Sequence, residues 1–97
     1  MQFVIIGNDG DDEGALERRM AARDAHVKNI DDNMDNMLIG AAMLDDIDGD
    51  MCGSVMIVDF PSEKELHEWL ENEPYVKGNV WDDVTIIPCK LGPSFAK

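Results

Sequence analysis

Arg23 and His26 are the residues of this sequence best suited to chemistry. They stand three apart in a segment of helical periodicity, so they occupy adjoining parts of one helix surface. Imidazole has a reference pKa of about 6.5, close to neutrality, and can take up and return a proton unaided. A guanidinium can hold a carboxylate or enolate oxygen through its N–H groups. Proton abstraction and return on a small organic molecule is the reaction class this pair points to. No Ser or Cys stands at a recognisable nucleophile elbow, so covalent hydrolysis is not indicated. Structural roles compete with both assignments. An Arg can run along apolar surface to reach water, and a lone helical His is commonly solvated or satisfied.

The stretch Glu13–Met37 must position these two side chains. Leu16, Met20, Val27, Ile30 and Met34 recur at helical spacings and predict the core-facing stripe of one long helix. Arg23 falls inside that stripe, and His26 lies on its flank, about 80° from the centre at roughly 100° per residue. A charged group on the core side is costly unless paired, which predicts a polar pocket for a small-molecule ligand.

The remaining elements follow in order. Gln2–Gly7 reads as a strand that is apolar on both faces. Asn8–Gly14 is a polar loop whose Asp9, Asp11 and Glu13 have the opening spacing of a calcium loop. Its twelfth position is Met20 and no helix precedes it, which excludes an EF-hand. Met37–Leu44 is a second strand, Asp45–Asp50 an acidic turn, and Met51–Phe60 a third strand. Ser62 and Glu65 form a capping box that opens a second helix with the stripe Leu66, Trp69 and Leu70. Pro74 stops it and forces Glu73 toward an extended backbone. Asn72–Trp81 reads as a loop and Asp83–Cys89 as the last strand. The order β-α-β-β-α-β predicts an α+β, ferredoxin-like fold with a four-stranded antiparallel sheet and both helices on one face. The other face, also apolar, needs a cover, so a homodimer through that sheet face is expected.

Ninety-seven residues predict a single domain spanning 1–97. A net charge of −13, from 21 acids against 8 bases, argues against nucleic acid and against an anionic membrane surface. No apolar run is long enough to span a bilayer and no signal-like segment is visible, so a cytoplasmic protein is expected. Cys52 and Cys89 lack metal-ligand spacing and are expected to be buried free thiols. The two histidines and scattered acids form no recognisable ligand set, and neither a metal nor an organic cofactor is expected.

Five features taken together in order resemble one family. They are Leu16-Glu17-Arg18-Arg19, Arg23-Asp24-Ala25-His26, Gly53-Ser54 before an apolar strand, Pro74-Tyr75 followed by Gly78, and a last strand ending near Pro88. Over nearly its whole length the chain resembles the YCII-related domain, a branch of the dimeric α+β barrel superfamily. The resemblance implies the same fold, a homodimer, and a pocket beside the sheet with a catalytic His and Asp. The His maps to His26. The Asp belongs to an Asp-Pro-Tyr motif, which here reads Glu73-Pro74-Tyr75, a carboxylate with about 1.5 Å more reach. Ala42-Met43-Leu44 stands where relatives carry Gly-Pro. A carboxylate on one ring nitrogen fixes the His tautomer and leaves the other nitrogen as base or acid. Arg23, Ser54 and Tyr75 are the candidate substrate-binding residues. Their alternatives are an ion pair with a buried acid such as Glu73, backbone bonding, and packing on the sheet. Three functions remain open: an isomerase or lyase using His26 and Glu73, a non-catalytic metabolite-binding module, and an accessory dimer with a vestigial pocket.

Overall fold

A computed structural model describes residues 1–96. The elements are β1 (Gln2–Asp9), α1 (Ala15–Asp32), a 3₁₀ turn (Met34–Asn36), β2 (Met37–Leu44), β3 (Met51–Asp59), α2 (Glu63–Glu71), α3 (Pro74–Lys77) and β4 (Trp81–Cys89). The four strands form one antiparallel sheet in the order β2-β3-β1-β4. This is the ferredoxin-like arrangement the element order predicts, with β1 in the interior between β3 and β4.

Alternation along the strands separates two faces. Phe3, Ile5 and Gly7 of β1 and Ser54, Met56 and Val58 of β3 are buried. Phe3, Ile5, Met56 and Val58 join Leu66 and Leu70 of α2 and Tyr75 of α3 in the core. Val4, Ile6, Val55 and Ile57 point the other way and are only half-buried, while Ile39 and Ile87 on that face are exposed. The apolar second face expected from the sequence is therefore present and, among the described residues, carries no helix.

The second helix begins as its cap predicts: the Glu65 N–H donates to Ser62 Oγ at 3.2 Å. It ends at Glu71, ahead of Pro74. The segment read as a continuous loop contains a one-turn helix, α3. Pro74 occupies its first turn, where a missing N–H costs nothing, and Glu73 caps it with an extended backbone (φ −69°, ψ 128°). The thiols are less buried than expected: Cys52 is exposed and Cys89 half-buried.

The phase of the long helix differs from the sequence reading. Leu16, Met20, Val27 and Met34 are 37–56% exposed. The sheet-facing stripe is Ala15, Arg19, Ala22, His26 and Ile30, centred on His26 and turned by about 80° from the predicted one. Arg19 is 3% exposed, whereas Arg23 is exposed. The cause is space. Tyr75 and Trp81 fill the volume under the helix, so its inner face carries small and polar residues while larger apolar ones turn outward.

Gly7 sets how deeply Trp81 can sit. A Cβ there would fall within 3.0 Å of three Trp81 ring atoms. Gly7→Ala is expected to cost about 1–3 kcal/mol by overpacking. Urea unfolding should show a lowered midpoint at unchanged m-value, with the Trp81 environment altered in near-UV dichroism.

Candidate active site

Glu73 is completely buried, and its carboxylate has two partners. Oε2 accepts from the Tyr75 backbone N–H at 2.6 Å, closing the cap of α3. Oε1 meets Nδ1 of His26 on α1. The longer Glu side chain thus reaches both the cap donor and the imidazole. The His26 side chain is 14% exposed. Its Nε2 has no hydrogen-bond partner among the described residues and is not fully buried.

Aromatic packing fixes the imidazole further. The Tyr75 ring stacks on it at 3.9 Å between centroids and 8° between planes. Trp81 meets the same imidazole edge-on at 6.2 Å. Tyr75 is 1% exposed, and burial pushes its phenol above its ordinary pKa of 10.0, against the opposing pull of Arg19 and Arg23. It is therefore a neutral hydroxyl at physiological pH.

A second polar cluster supports the first. Arg19 Nη1 donates to both carboxylate oxygens of Asp9, at 3.0 and 3.2 Å, and Nη2 donates to Ser54 Oγ at 3.0 Å. The side chains of Arg19 and Asp9 are each 3% exposed. Burial raises the Asp9 pKa, and the adjacent Arg19 charge opposes that rise. The guanidinium carbon lies 4.8 Å from the Tyr75 ring centroid, within range of a cation–π contact. Strand alternation explains the meeting. Ser54 pairs with Gly7 across the sheet, and Asp9 lies two residues beyond Gly7 on the same face.

These groups border a cavity of about 330 Å³ between α1 and the strands β2 and β3. Arg23, His26, Ser54 and Tyr75 all line it, so the four candidates other than Glu73 come to one place. Glu73 stands behind them against His26. Arg23 reaches the cavity from an exposed position and makes no ion pair among the described residues, so its alternative role as a partner of Glu73 is not realised. Val27, Ile30 and Met34 form the apolar wall, which accounts for three of the residues expected in the core.

Arg19 and Asp9 were missed by sequence reasoning. Reading the helix phase from His26 and the small residues Ala15 and Ala22 would have placed Arg19 inside. The large apolar residues gave the wrong centre.

A model of the YCII-related domain matches residues 1–90. The chain belongs to the YCII-related family. It is 29% identical to an uncharacterised protein of Haemophilus influenzae and to protein YciI of Escherichia coli O6:H1, in each case over 93% of this chain and 97% of the relative. Among solved structures it is similar to the 5-chloro-2-hydroxyhydroquinone dehydrochlorinase of Burkholderia phenoliruptrix, in complex with 2,5-dihydroxybenzoquinone. That match has a TM-score of 0.87 and 26% identity, and covers 99% of this chain and 100% of the neighbour. This YCII-related chain therefore shares its whole fold with a structure that holds a small ring compound.

Tyr75 is the only tyrosine, so tyrosinate absorbance reports it alone. Its titration midpoint is expected above 10.0 in the folded protein. An acid whose folded pKa is raised favours folding below its unfolded pKa, and that contribution is lost as pH rises past about 10. The stability of the parent relative to Tyr75→Phe should accordingly decline above that pH in parallel denaturant titrations.

Proposed function

We propose that this chain is an enzyme of isomerase or lyase type that uses His26 and Glu73 for acid–base chemistry on a small organic substrate. The observation that carries the reading is the division of labour within one imidazole. Nδ1 is held by a fully buried carboxylate, while Nε2 has no partner among the described residues and belongs to a ring that lines the cavity. A carboxylate on Nδ1 selects the tautomer with a bare Nε2 and stabilises the imidazolium that forms when Nε2 takes a proton. The stack with Tyr75 restricts ring rotation, so the base is pre-positioned.

In the proposed step, Nε2 removes a proton from substrate and the bonding pair moves into the substrate's π system. Return of the proton to another atom gives isomerisation. Departure of a leaving group with its electron pair gives elimination, the reaction named for the dehydrochlorinase neighbour. The Tyr75 hydroxyl and Arg23 are proposed to face the oxygens on which charge accumulates. Ser54 is proposed to border the substrate, although its Oγ already accepts from Arg19. The functional unit is proposed to be a homodimer joined through the helix-free sheet face, where Val4, Ile6, Val55 and Ile57 supply an apolar surface.

The test is deuterium uptake from solvent, followed by NMR, across a panel of small enolisable and hydroxylated substrates that includes 2,5-dihydroxybenzoquinone. Parent protein should accelerate exchange or turnover of at least one compound. His26→Gln should lower that rate by about 10²–10⁴-fold, and Glu73→Gln should lower it in the same direction. Ligand binding without turnover in every variant would instead identify a binding module.

A further inference from the structure

We infer that the cavity selects a small organic monoanion, of about single-ring size, whose charge is taken by Arg23. The inference rests on this cavity being the functional site proposed above and names the class of molecule it admits.

The overall charge of the chain makes this selection unexpected. With a net charge of −13, the molecule as a whole repels anions. Yet the charged or titratable side chains lining the cavity are Arg19, Arg23, His26 and the neutral Tyr75 phenol, and no Asp or Glu lines it among the described residues. Acids bonded to Arg19 and His26 stand behind them. Asp9 is engaged by Arg19, and Glu73 by His26 and the Tyr75 N–H.

Arg23 alone of the three basic side chains has no such acid. No described residue forms an ion pair with it. The positions three and four residues away on α1 are Arg19, Met20, His26 and Val27, none of them acidic. In a chain with 21 acids, this leaves one guanidinium at the cavity with no acid bonded to it. One such charge matches one negative charge on the ligand.

The walls and size define the rest of the ligand. Val27, Ile30, Met34 and Met56 are apolar and suit the body of a ring or short unsaturated chain. A volume of about 330 Å³ is near the lower end of small-molecule sites, which run from about 300 to 1,000 Å³. The Tyr75 hydroxyl, within the field of both arginines, is a neutral donor suited to the same oxyanion.

The experiment is calorimetric titration of the full chain with benzoate, its neutral counterpart benzamide, and benzylammonium. Parent, Arg23→Gln, Arg23→Lys and His26→Gln proteins are compared. Benzoate should bind about tenfold more tightly than benzamide, the scale of one charged hydrogen-bonded contact, and should weaken as salt is raised. Benzylammonium should not bind. Arg23→Gln should bring the benzoate-to-benzamide ratio close to one, Arg23→Lys should keep part of it, and His26→Gln should keep most of it. Arg23 is exposed and unpaired, so its replacement should leave far-UV dichroism unchanged. Equal binding of benzoate and benzamide, a preference that survives Arg23→Gln, or no binding of benzoate overturns the inference. Anion preference in a parent that transfers no proton on the substrate panel supports the inference and overturns only the catalytic reading. Proton transfer without anion preference does the reverse.

Discussion

A fully buried carboxylate has to find partners for its oxygens, and Glu73 finds them on two different elements. Oε2 closes the first turn of α3, and Oε1 meets the imidazole of α1. Desolvating a carboxylate costs several kcal/mol, so each contact is needed to offset that cost. The consequence is geometric. Once Glu73 caps α3, Tyr75 stands two residues along, and its ring lies flat against the His26 that Glu73 also holds. One carboxylate therefore contacts the imidazole and caps the turn that stacks Tyr75 against it.

The Arg19–Asp9–Ser54 cluster bears on the same point from the opposite side. It crosses from α1 to β1 and β3, and its guanidinium lies over the Tyr75 ring. Tyr75 thus contacts both an imidazole and a guanidinium, each tied to its own buried acid. Well-packed apolar residues would often stabilise such an interior at least as well as these ion pairs do. Their presence accords with an interior arranged for chemistry, with the apolar surface of α1 displaced outward to become a cavity wall.

Much of the fold is legible in the sequence. Short apolar strands, the Ser62 cap, Pro74 and the acidic turn at 45–50 mark the elements, and their order is enough to name the sheet topology. His26 is legible from the helix it shares with Arg23, whereas Glu73, Ser54 and Tyr75 are legible only through the resemblance to relatives, because no single spacing brings residues 26, 54 and 73–75 together. The phase of α1 is misread because hydrophobic periodicity assumes that the largest apolar residues face the densest packing. Here Tyr75 and Trp81 already occupy that space, so Ala15 and Ala22 face it, with Arg19 between them. Arg23 is placed correctly beside the cavity but for the wrong reason: it stands on the rim with Val27, not in the core. Asp9 is read as part of a polar loop, although it ends β1 on the face that already holds Gly7.

The chemistry proposed for His26 depends on which of its nitrogens is committed to Glu73. The most direct test is the tautomer of the His26 ring, read from long-range ¹H–¹⁵N correlations at a pH where the ring is neutral, with His67→Gln used for assignment. Nδ1 bonded to the Glu73 carboxylate requires the proton on Nδ1 and a bare Nε2. That result would support a base whose free nitrogen is available to a ligand in the cavity. A neutral ring carrying its proton on Nε2 would contradict it, because Nδ1 would then have no proton to donate to Glu73.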